Sequence, residues 1–194
     1  MRLFNRKKKI SFSDFIYTKK EALPKSFCDN VIDKFEKDER KRQGQVGGGV
    51  HLDIKRSCDL SISDLVDWKS FDEAFFRSLN EGLKDYHYFI PAEFRDYKAI
   101  SIDGNDTGYQ IQKTQPEDFY IWHHDNMTDR KLTFIWYLND IKDGGYTEFI
   151  DGTKIKPEVG KLVIFPASWE FLHRGVPPKS EDKYLCTGWV HFDD

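Results

Sequence analysis

The sequence predicts a mainly β fold of the sandwich or barrel kind, with helices confined to its N-terminal half. Two observations carry this. From about Ile100 the chain breaks into short β-type segments separated by turn residues, among them Asp143-Gly144-Gly145, Asp151-Gly152 and Pro177-Pro178. Before that point apolar residues recur at helical spacing instead. A third observation sets the scale: 194 residues suffice for one domain with a sizeable core and divide poorly into two. Hydrophobic residues make up 39% of the chain and aromatic residues 15%, which marks a folded rather than a disordered protein.

The first helix is expected after Leu23-Pro24, where Phe27, Val31 and Phe35, with Cys28 and Ile32 beside them, form one stripe. Pro24 suits the first turn, and the all-charged residues 36–42 mark a solvated end. A second helix is expected around residues 68–86, with Phe71, Phe75, Leu79 and Leu83 four apart. Residues 43–63 between them read as a loop. Its Gly47-Gly48-Gly49 has no strand before it and no Gly-Lys-Ser/Thr after it, so it is not a phosphate loop. Strands are expected at 109–114, 119–125, 131–139, 146–150, 161–165, 171–173 and 183–192. There is no internal repeat and no low-complexity tract.

Charge and cysteine usage exclude several classes. A formal net charge of −3 argues against general nucleic-acid binding, and the cluster Arg6-Lys7-Lys8-Lys9 reads as a solvated tail. No apolar run approaches the ~20 residues that span a bilayer, so no membrane partner is expected. The opening MRLFNRKKKI has charges without an apolar stretch and is not a secretory signal. Cys28, Cys58 and Cys186 are odd in number and far apart, the pattern of reduced thiols in a cytoplasmic protein.

The chemistry concentrates in IWHHDNMTDRKLTFIWY, residues 121–137. Side chains i and i+2 of a strand share a face. Simple alternation therefore turns His123 and Asp125 together, with Ile121 on their side, and sends His124 away with Trp122 and Tyr120. One His-x-Asp is a weak signal. With six histidines in 194 residues, chance supplies about 0.7 such pairs. A second one, His51-Leu52-Asp53, reads as a polar loop or edge segment. Independent support for the first comes from His173 in FLHRGV, which follows the strand KLVIF and a turn, as a third ligand on a neighbouring strand would. Further on, Lys183 opens the last strand. Two imidazoles and one carboxylate leave positions open on iron(II), and a buried cation nearby suits an anionic cosubstrate. Each residue also has an ordinary reading: His173 as a strand histidine, Lys183 as a solvated strand end, Tyr137 as core. His87, His124 and His191 read as structural or surface residues.

The segments WHHDN, RKLTFIWYLND, GGYTEF, IKPEVGKLVIFP, LHRGV and KYLCTGW, taken together and in this order, carry a resemblance. Residues 122–189 resemble the catalytic core of prolyl-4-hydroxylase-type iron(II)/2-oxoglutarate-dependent oxygenases. LPKSFCDNVIDKF and KRSCDL resemble the family's helical lead-in more loosely. The resemblance implies a double-stranded β-helix, or jelly roll, buttressed by N-terminal helices. It implies one 2-oxoglutarate/Fe(II) oxygenase domain over 1–194, with 1–99 mostly helical support and 100–194 the catalytic core. Phe134, Trp136 and Leu138 make the outer face of their strand apolar, and the helices are its expected cover.

By the same resemblance His123, Asp125 and His173 are the iron ligands. Lys183 pairs with the distal carboxylate of 2-oxoglutarate and Tyr137 hydrogen-bonds it. Thr133 shares the strand face of Tyr137, and Thr187 and Trp189 share that of Lys183, which places all three on the cosubstrate wall. The implied reaction is hydroxylation of a C–H bond in a prolyl residue of a peptide or protein. O2 and 2-oxoglutarate are the cosubstrates, succinate and CO2 the products, and ascorbate the reductant. Asp125 favours hydroxylation over halogenation. A free amino acid or another small molecule is the alternative substrate. A catalytically dead binding module and a cupin-type metalloprotein that ignores 2-oxoglutarate are the alternatives from other classes. Oligomeric state is not indicated. The chain departs from many relatives at Thr114 and Glu117, where they place a tyrosine and a glycine, and at Tyr146, where they carry an acidic residue.

Overall fold

The computed structural model describes residues 9–95, 106–127 and 129–191. Arg6 to Lys8, the expected change of pattern at Ile100 and the last residue of the expected final strand lie outside them. Among the described residues, two antiparallel sheets organise the chain. The larger has the order β1 (Tyr17–Lys19), β9 (Leu162–Pro166), β6 (Arg130–Tyr137), β11 (Lys183–His191), β4 (Gln110–Thr114), β3 (Cys58–Ser61), β2 (Arg42–Gln43). The smaller has the order β5 (Tyr120–His123), β10 (His173–Gly175), β7 (Thr147–Phe149), β8 (Lys154–Ile155).

Period-two alternation divides the large sheet's side chains into two cores. Phe134 and Trp136 of β6, Leu162 and Ile164 of β9, and Tyr184 and Cys186 of β11 pack with the helices. Their neighbours Ile135, Tyr137, Val163, Phe165 and Leu185 pack instead with Phe149 of the small sheet and Phe171. Strands buried on both faces read as near-continuous apolar runs, which is how TFIWYL and KLVIFP look.

The cover on the outer face is α1 (Lys25–Lys37), which buries Cys28, Val31 and Phe35, and α2 (Lys69–Phe89), which buries Phe75, Leu79, Leu83 and Tyr86. Pro24 is the N-cap of α1, just outside the first turn. At the other end Lys41 Nζ donates to the carbonyls of Phe35 and Glu36 at 2.8 and 2.7 Å, answering groups a helix end leaves unpaired. Trp136 Nε1 donates to Ser78 Oγ at 3.1 Å, and Ser78 Oγ donates to the Ala22 carbonyl at 3.0 Å. The buried indole thus avoids the penalty of an unpaired donor.

The structure adds strands to the N-terminal half. Residues 43–63 are not a plain loop: Val46 and Gly49 bridge across Gly47 and Gly48, both at positive φ, and β3 follows in the large sheet. β1, β2, β3 and β8 have two to four residues each, too short for alternation to show in sequence. The strand expected over 119–125 stops at His123.

Candidate active site

His123 ends β5 and His173 begins β10, and the two are direct cross-strand partners with ring centroids 4.2 Å apart. Asp125 lies past the strand end, yet its carboxylate turns back. Oδ1 is 3.8 Å from His123 Nε2, and Oδ2 is 3.6 Å from His173 Nε2. One ligand atom from each of the three residues falls within 4.8 Å of the others. His123 Nδ1 sits 2.8 Å from the Ile121 carbonyl and His173 Nδ1 sits 3.0 Å from the Phe171 carbonyl. A carbonyl only accepts, so both Nδ1 atoms carry a proton, which leaves each Nε2 as the ring nitrogen turned toward Asp125 and available to ligate.

Thr133 Oγ1 donates to Asp125 Oδ2 at 2.7 Å, fixing the carboxylate from behind. Burial pushes the Asp125 carboxyl up, but His173, His123, Thr133 and Trp189 together outweigh it and hold it below its ordinary value. Burial, reinforced by His173, holds His123 well below the usual imidazole range, so it is neutral and ready to ligate. Two imidazoles and an ionised carboxylate, all bordering one cavity, form a donor set that fits iron(II).

Lys183 stands in the same cavity at 3% exposure. Its ammonium donates to the Gly145 carbonyl at 3.3 Å, and among the described residues no carboxylate pairs with it. Burial pushes its pKa down to about 8. A buried ammonium without a counter-charge is costly unless a bound anion completes it.

Residues 109–191 match the 2OG-Fe(II) oxygenase superfamily. A PKHD-type hydroxylase of Synechococcus sp. (strain CC9605) is 27% identical over 107 residues. That match covers 48% of this chain, and the chain spans only 46% of the length of that relative. Among solved structures, a Pseudomonas putida prolyl-4-hydroxylase superposes with a TM-score of 0.67 at 19% identity, covering 91% of this chain and 92% of that one. A Trichoplax adhaerens prolyl hydroxylase, in complex with a hypoxia inducible factor peptide fragment, gives a TM-score of 0.71 at 19% identity, covering 93% and 84%. The viral collagen prolyl hydroxylase of Paramecium Bursaria Chlorella virus-1, in its 2OG complex, gives 0.64 at 20%, covering 90% and 94%. The C-terminal part of the chain resembles the 2OG-Fe(II) oxygenase superfamily, and the whole shares the fold of the prolyl hydroxylases. Its two sheets are the double-stranded β-helix of those enzymes.

Within this oxygenase fold, several residues stand elsewhere than alternation places them. β5 is bulged: His123 and Tyr120 oppose His173 and Gly175, so Ile121 and Trp122 together oppose Arg174. The bulge carries Tyr120 to the cavity side, where its ring stacks on His123 with centroids 3.5 Å apart. Ile121, expected beside the ligands, is instead exposed, as is His124. Thr133, Thr187 and Trp189 do border the cavity. Thr187 Oγ1 donates to the Phe134 carbonyl at 2.8 Å, and the Trp189 indole is stacked on the Arg130 guanidinium, 3.4 Å from its centroid. Tyr137 does not reach the cavity wall. It is fully buried, and its hydroxyl donates at 2.6 Å to Thr147, which does border the cavity. Thr114 faces the same cavity as the cross-strand partner of Lys183, while Glu117 takes a positive φ of 70° in the following turn. Tyr146 is half-buried and its carbonyl accepts from Val176 at 2.9 Å.

Sequence reasoning missed one wall. Residues 54–56 run beside β5, with Arg56 N–H donating to Phe119 at 2.8 Å and Ile121 N–H to Ile54 at 3.0 Å. Lys55 and Ser57 thereby border the cavity, and Lys55 Nζ pairs with buried Asp59 at 2.7 Å. The available signal was the spacing Lys55-x-Ser57-x-Asp59, three polar groups at alternate positions leading into β3. In sequence that spacing is identical to a solvated edge. His51 and Asp53, just upstream, are exposed and take no part in the cluster.

Proposed function

We propose that this chain hydroxylates a C–H bond of a prolyl residue in a peptide or protein, with 2-oxoglutarate and O2 as cosubstrates and succinate and CO2 as products. The observation that supports this best is a single cavity holding both the His123–Asp125–His173 donor set and, on another strand, the uncompensated ammonium of Lys183. Iron(II) held by the three residues supplies the oxidising chemistry when cosubstrate and dioxygen are bound. The protein's own residues bind, orient and exclude water. Lys183 takes the distal carboxylate of 2-oxoglutarate by a charge-assisted hydrogen bond, with Thr147 and Thr114 beside it. Thr133 holds the Asp125 carboxylate in place. Tyr120 and Trp189 close the sides of the cavity with aromatic surface.

The peptide reading draws on the relatives, one of which is solved with a peptide fragment. The second reading, a free amino acid or other small molecule, uses the same machinery. Ascorbate serves as the reductant that keeps the iron ferrous. The three cysteines are free, which suits the cytoplasm as the compartment. Among the described residues no helix is long and apolar enough to cross a membrane.

The test is succinate release by the Fe(II)-loaded chain, with prolyl peptides and with free amino acids. Iron- and 2-oxoglutarate-dependent succinate that rises with a prolyl peptide, with hydroxyproline in the product, is expected. Iron binding without any effect of 2-oxoglutarate would move the chain to the cupin-type class.

A further inference from the structure

The outer face of the small sheet carries a line of side chains that the chemistry above leaves unused. Trp122 of β5, Arg174 of β10, Glu148 of β7 and Lys154 of β8 come from four successive strands. Arg174 is the cross-strand partner of Glu148, and Glu148 of Lys154. Arg174 Nε and Nη2 reach Glu148 Oε2 at 2.8 and 2.6 Å, while Lys154 Nζ lies 3.3 Å from Oε1. On its other side the Arg174 guanidinium lies over the Trp122 ring, 4.8 Å from the centroid. The row is continuous from edge to edge.

Its position falls on a seam of the site whose register is interrupted. β5 and β10 carry the two histidines, yet β10 is three residues long and its pairing with β5 is interrupted by the bulge opposite Arg174. A bulge removes a ladder hydrogen bond, and a one-residue slip of a strand turns every side chain to the other face. After such a slip, His123 no longer faces His173. Backbone pairing this short does little to prevent it. Arg174 follows His173 directly, and its side chain grips the strands on both sides.

We infer that Arg174, held by Glu148 and stacked on Trp122, is a positioning residue that locks the β5–β10 register and so keeps His123 opposite His173. The inference rests on the iron-site reading above. A partly exposed ion pair adds little to global stability, so the effect is local to the metal site. Partners that orient metal ligands typically change metal affinity 10- to 100-fold when removed.

The experiment measures anaerobic Fe(II) affinity by chelator competition, the visible spectrum of the Co(II)-loaded chain, and Tm. Arg174→Ala and Glu148→Gln are each expected to weaken Fe(II) about tenfold and shift the Co(II) bands, with Tm moving by no more than about 4 °C. Arg174→Lys restores part of the loss, because the charge returns without the planar face that stacks on Trp122. Lys154→Ala, at the outer end, leaves affinity and spectrum at parental values. Should Arg174→Ala fail to fold, Glu148→Gln decides by the same readings. Parental Fe(II) affinity and an unchanged Co(II) spectrum in Arg174→Ala and Glu148→Gln overturn the inference. If Arg174→Ala also raises substrate KM while keeping parental iron affinity, Arg174 is a substrate contact instead. A parent chain that takes up no Fe(II) overturns the iron-site reading itself, and this inference with it.

Discussion

Two histidines stand side by side in the sequence, and the structure separates them by role. His123 turns its Nε2 to Asp125, while His124 is exposed. Anaerobic titration of Fe(II) is therefore expected to give one ion per parent chain. Binding should vanish in His123→Ala and His173→Ala and persist in His124→Ala and in the double variant His51→Ala/Asp53→Ala. Iron lost with His124 and kept without His123 would contradict the assignment. Lys183 offers a test of its own. Truncating one partner of a buried, hydrogen-bonded charge pair costs roughly 2–5 kcal/mol, so Lys183→Ala should weaken 2-oxoglutarate about 30- to several-thousand-fold while iron still binds. The free ammonium titrates near 8 because burial lowers it, and a bound carboxylate raises it. The sign follows. 2-Oxoglutarate affinity is expected to be full well below pH 8 and to fall about tenfold per pH unit above it. Lys183→Arg, which stays charged, should bind more weakly than the parent but with a flat profile between pH 7 and 9.5. The charge-transfer absorbance of the anaerobic Fe(II) chain reads both.

At the scale of single elements, the long strands were legible and the short ones were not. Alternation in residues 132–137 and 183–190 divides helix-facing from inward-facing side chains, because those stretches pair regularly and are buried on both faces. It fails for Tyr120 and Ile121, since a bulge adds a residue that no residue type announces. One glycine shows how closely the elements fit. A Cβ on Gly188, in the central strand β11, would lie 2.4 Å from the Gly108 carbonyl oxygen and 2.6 Å from the Phe134 ring. Neither neighbour has room to move, as Phe134 is fully buried. Gly188→Ala is expected to cost about 1–3 kcal/mol by overpacking, and so to lower Tm by about 3–10 °C. An unchanged Tm would mean that the Gly108 turn yields to the added methyl group at little cost.

For the whole molecule, the decisive fact is that the large sheet draws strands from both halves of the chain. β1, β2 and β3 come from before residue 62, while β4, β6, β9 and β11 come from after residue 109. Helical support and catalytic core therefore share one sheet, and neither buries its apolar face alone. We expect one cooperative urea transition, with far-UV circular dichroism and tryptophan fluorescence superimposing. Two separate transitions would show that the helices unfold as a unit of their own. Because the three proposed ligands meet only in the folded arrangement, Fe(II) at 100 times its Kd should add about 2.7 kcal/mol and raise Tm by about 5–10 °C. His173→Ala should show no such rise.

The sequence by itself marked out the β core, its helical cover, and the four side chains His123, Asp125, His173 and Lys183 that meet at one cavity, because each is written in spacing or in motif order. Periodicity is a property of neighbours along the chain, and so are His-x-Asp and Phe-Leu-His-Arg-Gly. Only the tertiary structure decided which residues close the cavity. It brought Lys55 and Ser57 in from a segment that reads as loop, set Tyr137 back behind Thr147, and turned Tyr120 inward through the bulge. These depend on contacts between segments far apart in sequence, where a polar residue on a strand reads the same whether water or a cosubstrate meets it.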